Sequence, residues 1–394
     1  VQFFTLELHT AQCQNCPLPF TSNYSKKTMS CDFTQLATSG VQGLHPYQPG
    51  KPLAELEREY GIQNAIKLAS NENPLGASPR AIAAIQAELA EITRYPDGNG
   101  FVLKQAIVEQ FGVALNNITL GNGSNDLLEL IARGFVSNQD SVLFSQHAFA
   151  VYPIVTQAIG AQAIITPAKN WGHDLTAILG AIQTNTRVIF IANPNNPTGT
   201  WLDHDSLCTF LRQVPSNVVV VLDEAYSEYV DEPTFPNGLG LLVEFPNLVV
   251  TRTFSKAYGL ASLRVGYAAA AADITNVLNR VRQPFNVNSF ALAAAAAALR
   301  DREYLQQSVV LNRAGMAQLT AGFAAMGLDY IPSVGNFVTV DVGRVAAPVY
   351  ENLLREGVIV RPIANYGMPQ HLRISIGKAE ENQRFLEALR KVLG

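Results

Sequence analysis

Thr186-Arg187-Val188-Ile189-Phe190-Ile191-Ala192-Asn193-Pro194-Asn195-Asn196-Pro197-Thr198-Gly199 runs from an apolar stretch straight into a turn rich in Asn and Pro. Short, β-branched and without polar alternation, the apolar part reads as a strand buried on both faces, as parallel sheets require. Two further stretches repeat the pattern. Asn217-Val218-Val219-Val220-Val221-Leu222 leads into Asp223, and Leu248-Val249-Val250-Thr251 leads into Thr253-Phe254-Ser255-Lys256. An amphipathic segment from Asp203 to Val214 separates the first two and suggests βαβ winding. The expected fold class is therefore α/β, with a mostly parallel central sheet flanked by helices. Open sheets of this kind bind ligands at the carboxyl ends of their strands. That is where Asn196, Asp223 and Lys256 fall.

Composition narrows the class. At 394 residues the chain can bury a large core and a second, smaller one. Hydrophobic residues make up 48% and charged ones 15%, which argues against disorder. A formal net charge of −4 offers no basic field for a nucleic acid, so no nucleic-acid partner is expected. Phe290 to Leu299, the longest run of small apolar residues, is too short to span a bilayer and reads as a packed Ala-rich helix, so no membrane partner is expected. Cys13, Cys16, Cys31 and Cys208 are too few for a disulfide scaffold. Cys13 and Cys16, with His9 and Cys31 nearby, have irregular spacing and no second pair, so no metal is expected.

Organisation follows from the pattern. Residues 1–28 are polar, turn-rich and aperiodic; they read as an extension outside the fold, with Met29 where a start could lie and no signal-peptide pattern, so a cytoplasmic location is expected. Residues 29–75, with the run His45-Pro46-Tyr47-Gln48-Pro49-Gly50-Lys51-Pro52, read as an arm laid over the body. Residues 76–288 form the large domain. Residues 289–394 form a smaller α+β domain with helices Ser289–Arg300, Arg302–Met326 and Ala379–Leu393, and strands Asn336–Val342, Val358–Arg361 and Leu372–Ile376.

The candidate chemistry centres on Lys256. A lysine preceded by Ser255 and Thr253 and followed by Arg264 suits an amine that condenses with a cofactor aldehyde while its neighbours hold that cofactor's phosphate. Gly121-Asn122-Gly123-Ser124-Asn125-Asp126 leads into a helix whose first amides and dipole favour an anion; the plain alternative is a helix capped by Ser124 or Asn125. Asn196 is presented by a turn that prolines define. Asp223 ends an apolar strand, where burial demands a cationic partner such as a protonated pyridine nitrogen. Tyr226 could donate to that ring's oxygen together with Asn196, and Phe149 is a candidate to stack on the ring.

With Asn196, Asp223, Tyr226, Lys256 and Arg264 in this order, the chain resembles the fold-type-I pyridoxal-phosphate-dependent aminotransferases (class II). The likeness extends from about Gly43 to the C-terminus. Within that class it is most similar to the histidinol-phosphate aminotransferases of bacterial histidine biosynthesis. The motifs that carry this are 45–52, Leu68-Ala69-Ser70-Asn71-Glu72-Asn73-Pro74-Leu75-Gly76, Arg94-Tyr95-Pro96-Asp97 and Leu372-Arg373-Ile374-Ser375-Ile376-Gly377. The resemblance implies pyridoxal 5'-phosphate as cofactor, its phosphate held by Ser124, Asn125, Thr253, Ser255 and Arg264, with Tyr95 reaching in from a neighbouring subunit of a homodimer. It further implies that Arg373 grips the substrate anion, with Arg361, Tyr47 and Asn196 beside it. The implied substrates are histidinol phosphate and the glutamate/2-oxoglutarate pair. Where relatives commonly carry a stacking Tyr, this chain has Phe149. An aromatic amino acid aminotransferase and a threonine-phosphate decarboxylase on the same scaffold remain alternatives; a transcription regulator would need a DNA-binding segment that residues 1–42 do not supply.

Overall fold

In the computed structural model, described for residues 31–47 and 50–394, the three apolar stretches are the strands Thr186–Ala192, Val219–Asp223 and Leu248–Thr253. They lie side by side in a seven-stranded sheet. Across it the order is Ile118–Gly121, Gly266–Ala270, Leu248–Thr253, Val219–Asp223, Thr186–Ala192, Ser141–Ser145 and Gln162–Thr166. Gly266–Ala270 runs antiparallel to both neighbours; the other pairings are parallel.

Side-chain alternation along these strands feeds two cores. Ile189, Ile191, Val220, Leu222, Leu248 and Val250 pack on one face with helices Pro79–Glu88, Phe101–Phe111, His204–Leu211 and Ser289–Leu299. Val188, Phe190, Val219, Val221 and Val249 pack on the other with helices Ser124–Phe135, Val151–Ile159 and Ala272–Val281. Both faces are thus buried, which explains why the strands lack polar alternation. His204–Leu211 is the expected crossover helix; Asp203 caps it by accepting from the Ser206 amide.

A second sheet, ordered Tyr330–Ile331, Phe337–Asp341, His371–Ser375 and Arg361–Pro362, is antiparallel throughout. Val338, Val340, Leu372 and Ile374 pack there against Phe323 of helix Arg302–Ala325 and Phe385 and Leu389 of helix Ala379–Leu393. Two sequence expectations need redrawing. Helix Ser289–Leu299 was assigned to the smaller domain, yet its alanines and Leu299 pack in the first core of the large sheet. The arm is likewise woven in rather than laid over: Ile66–Lys67 pairs in parallel with Val358–Ile359, and Leu68 enters the second sheet's core. A pairing between segments that far apart in the chain leaves no local periodic signal.

The chain divides after Ala37. On the short side, helix Phe33–Leu36 begins at Asp32, whose carboxylate accepts from the Thr34 and Gln35 amides. The residue 1–28 extension, with Cys13 and Cys16, lies outside the described residues. Among the described residues no helix is long and apolar enough to cross a membrane.

The large sheet's strand ends set the site. Thr253 is followed by a turn that the Gly259 amide closes by donating to the Lys256 carbonyl at 2.9 Å. Gly259 has φ +70°, and a Cβ there would stand 2.1 Å from the Gly76 carbonyl oxygen. Left-handed backbone and backbone overlap act together, so Gly259→Ala is expected to cost at least about 2 kcal/mol. Denaturant unfolding of the variant checks this, and an unchanged midpoint would contradict it.

Candidate active site

The sequence candidates meet in one cavity of about 230 Å³ at the carboxyl edge of the large sheet. Its walls include Tyr47, Ser124, Asn125, Phe149, Asn196, Asp223, Tyr226, Thr253, Ser255, Lys256, Arg264, Arg361 and Arg373. Tyr95 is the exception. It is 83% exposed and stacks on Phe285 at 4.8 Å, outside that cavity.

Topology explains the convergence. Three parallel strands deliver the Asn193–Gly199 turn, Asp223, and the Thr253–Lys256 segment to the same edge. The antiparallel strand brings its beginning there, since Gly266 faces both Thr253 and Gly121. Arg264, two residues earlier, therefore emerges beside the Gly121–Gly123 turn. A Cβ on Gly123 would stand 2.3 Å from Arg264 Nη2, so glycine lets the guanidinium lie against the turn.

At this end the cavity is an anion cradle. Helix Ser124–Phe135 starts at Ser124 itself, with Gly123 as the residue before it and no side chain capping the helix start. The capped-helix alternative is thereby overturned: Ser124 and Asn125 are helical residues, not caps. Arg264 Nη1 donates to Ser255 Oγ at 3.2 Å and to the Ala261 carbonyl at 3.1 Å. The Ser255 amide donates to Thr253 Oγ1. Helix dipole and guanidinium act in the same sense.

The far end carries a buried acid. Asp223 accepts from the Tyr152 hydroxyl at 3.0 Å and the Thr251 hydroxyl at 3.1 Å. Burial pushes its carboxyl up to about 6, although both hydroxyls pull it down. Its neighbour Glu224 points the other way and is neutralised by Arg252 at 2.7 Å. The fold has thus supplied a guanidinium for one carboxylate and neutral donors for the other. A ligand presenting an N–H⁺ would fit Asp223.

Between these ends, Lys256 Nζ donates to the Ser70 carbonyl at 2.9 Å. Burial, with Arg373 next in effect, lowers its amine to about 7. A fraction is then neutral and nucleophilic near neutrality. Tyr226 is buried and accepts from Asn71 Nδ2 at 2.9 Å. Asn196 Oδ1 accepts from Arg373 Nη1 at 2.6 Å, which leaves the Asn196 NH₂ to face elsewhere. Phe149 lines the wall and meets Tyr152 edge-on.

The second sheet closes the cavity with cations. Arg373 is 6% exposed, donates from Nη2 to the Ala69 carbonyl and lies over the Phe337 ring. Burial lowers its pKa. The strand register sets Arg361 directly opposite Arg373, and Arg361 in turn lies over the Tyr47 ring. Like charges across a strand pair repel, so two guanidiniums in this register suit an anion between them.

Residues 63–389 match the family described as aminotransferase class I and II. This chain belongs to the class I and II aminotransferases.

Among the relatives, histidinol-phosphate aminotransferase 2 of a Pseudomonas fluorescens strain is 64% identical over 93% of this chain and 99% of its own length. The Pseudomonas aeruginosa protein of the same name is 63% identical over 92% and 99%. The crystal structure of histidinol-phosphate aminotransferase from Sinorhizobium meliloti, in complex with pyridoxal-5'-phosphate, superimposes with a TM-score of 0.83 at 29% identity, covering 90% of this chain and 97% of that one. The fold-type-I architecture implied by the sequence resemblance holds for this aminotransferase.

Several site residues escaped sequence reasoning. Of the two donors to Asp223, Thr251 read only as part of a buried strand and Tyr152 received no reading. Asn71, Ser70 and Ser375 sit in motifs that carried the resemblance but received no role, and Tyr366, which also lines the cavity, lies in none of them. The one available signal was the polar cluster Ser70-Asn71-Glu72-Asn73, too hydrophilic for a plain linker between apolar segments.

The raised acid predicts a pH signature in cofactor-free protein. A carboxyl moved from 3.8 unfolded to about 6 folded gives stability that is full below 3.8 and lost as pH rises through about 6. Asp223→Asn removes that loss. The variant is expected to gain up to about 3 kcal/mol over wild type between pH 4 and 7, with no such gap opening below pH 4. Unfolding curves at the two pH values check the sign; a gap that is constant with pH would contradict it.

Proposed function

We propose that this aminotransferase uses pyridoxal 5'-phosphate to interconvert histidinol phosphate plus 2-oxoglutarate with imidazole-acetol phosphate plus glutamate, as in histidine biosynthesis. The observation that carries the reading is the shared cavity: an anion cradle, a buried acid suited to a ring cation, an amine lowered to about 7 and two facing arginines. The near-full-length identity to proteins named histidinol-phosphate aminotransferase favours this substrate over aromatic amino acids or threonine phosphate.

When bound, the cofactor supplies an aldehyde that condenses with amines and a ring that accepts an electron pair from the adjoining carbon. The chain's residues do the rest. Ser124 and Asn125 amides, Thr253, Ser255 and Arg264 would hold the phosphate, and Phe149 would cover a ring face. Asp223 would keep the ring nitrogen protonated, gaining the counter-charge its buried carboxylate lacks from Tyr152 and Thr251. Asn196 through its NH₂ and Tyr226 through its hydroxyl would donate to the ring oxygen. Lys256 would hold the aldehyde, and its Nζ, when free, would carry the proton taken from the substrate α-carbon to the cofactor carbon that the amine had joined. Arg373, with Arg361 and Tyr47, would bind the substrate anion: phosphate in one half-reaction, the α-carboxylate of glutamate in the other.

Lys256→Ala is expected to lose at least about a thousandfold in turnover and the visible absorbance of the cofactor-loaded protein. Single-turnover mixing of the pyridoxal form with histidinol phosphate, phenylalanine, tyrosine, aspartate and threonine phosphate identifies the substrate. Fast conversion by phenylalanine alone, or carbon dioxide release from threonine phosphate, would sink the assignment.

The exposed Tyr95 ring, stacked on Phe285 and flanked by exposed Ile92, Phe101 and Val102, supports a homodimer in which Tyr95 completes the partner's phosphate site. A cytoplasmic location accords with this biosynthetic role. Mixed dimers test the assembly. Refolding equal amounts of Lys256→Ala and Tyr95→Ala chains together should restore about a quarter of wild-type activity, because half the dimers are hybrids with one intact site of two. No gain on mixing would reject a shared site.

A further inference from the structure

Asn71 is 1% exposed, has φ +54° and has a partner for every polar group. Its amide N–H donates to Ser375 Oγ at 2.8 Å. Its carbonyl accepts from Asn336 Nδ2 at 3.0 Å. The Ser375 hydroxyl donates to Asn71 Oδ1 at 3.1 Å, and Asn71 Nδ2 donates to Tyr226 Oη at 2.9 Å. In this arrangement the Ser375 hydroxyl accepts the Asn71 N–H and gives its own hydrogen to Oδ1, while the NH₂ faces Tyr226.

A phenol oxygen has one hydrogen, which prefers the ring plane on one side or the other. A donor seated against the oxygen occupies a lone pair and leaves the hydrogen for the remaining direction. Tyr226 is a wall of the cavity, as Asn71 is. We propose that Asn71 is a positioning residue for the aminotransferase reaction: locked by Ser375, it fixes the Tyr226 hydroxyl as a donor toward the cofactor's ring oxygen. The proposal rests on the cofactor reading above. Burial supports it by keeping the hydroxyl protonated, its pKa pushed up to about 12 against the opposing pulls of Arg373 and Asn71.

A hydroxyl donating to the ring oxygen draws charge from it and weakens its hold on the proton that the bound chromophore gains and loses. The pH midpoint of the visible absorbance of the pyridoxal-phosphate-loaded protein therefore reports this donor without reference to turnover. Tyr226→Phe should raise the midpoint by about one unit, and Asn71→Gly, which tolerates the positive φ, by about half a unit. The deciding arm is the double variant. If Asn71 acts through Tyr226, Asn71→Gly adds no shift in the Tyr226→Phe background. Ser375→Ala, which frees the Asn71 amide to turn over, should give a smaller shift that also vanishes there, and it decides the matter if Asn71→Gly fails to fold. A wild-type midpoint in the foldable variant, or an equal shift in both backgrounds, overturns the proposal. Should wild type acquire no visible absorbance with pyridoxal phosphate, the cofactor reading falls and this inference with it; a Tyr226→Phe shift with no Asn71 or Ser375 effect sinks the inference alone.

Discussion

Burial of the seven-stranded sheet on both faces is the constraint on which the site depends. Val188 to Ala192 and Val219 to Leu222 have no room for a polar side chain along their length, because two cores press on them from opposite sides. Polar groups can leave the sheet only at its edges. With neighbouring strands parallel, their carboxyl ends share one edge, and three separate segments deliver chemistry to the same place. The antiparallel strand Gly266–Ala270 adds to this rather than breaking it, since its beginning lies where its neighbours end. Arg264 belongs to the site for that reason alone.

The same burial tunes the groups it gathers. Lys256, Asp223 and Arg373 are all moved toward their neutral forms, with desolvation the largest cause for each. Each shift carries a free-energy cost in the protein alone, and each is relieved by a ligand of opposite demand: an aldehyde for the amine, a ring cation for the acid, an anion for the guanidinium. Glu224 marks the contrast. It is adjacent in sequence, equally hidden, and compensated within the protein by Arg252, so it has nothing to offer a ligand. Position along a strand decides which of two adjacent carboxylates is structural and which faces the cavity.

Much of this was legible from local pattern. Strand Thr186–Ala192 and helix Ala379–Leu393 match their expected bounds, and Asp223 ends its strand as anticipated. Period and turn chemistry are written in consecutive residues. What stayed hidden are pairings between distant segments. Nothing near Tyr152 says that its hydroxyl will meet Asp223, and nothing near Leu68 says that it will enter a core built by residues beyond 300. Whether Ser124 caps the helix or begins it stayed open for a related reason. Ser and Asn are good caps in isolation, and only the Gly121–Gly123 turn against Arg264 makes them the first helical residues. The Ala-rich helix Ser289–Leu299 was recognised as packed, but its lack of an amphipathic stripe concealed which sheet it packs on.

Strand His371–Ser375 ties separate walls of the cavity together. Arg373 and Ser375 stand two residues apart and so project from the same face. Arg373 reaches Asn196 and the Ala69 carbonyl; Ser375 reaches Asn71, and through it Tyr226. The segment 69–71 is therefore gripped at both ends by one strand, while the Ser70 carbonyl between them receives Lys256. A displacement of that strand would move the Arg373 guanidinium, the Ser70 carbonyl that receives Lys256 and the Asn71 amide against Tyr226 as one body. The Arg373 guanidinium is thus linked to Lys256 and Tyr226 through this strand as well as through charge. A strand in a packed sheet responds as a unit because its cross-strand bonds and close-packed side chains resist independent movement.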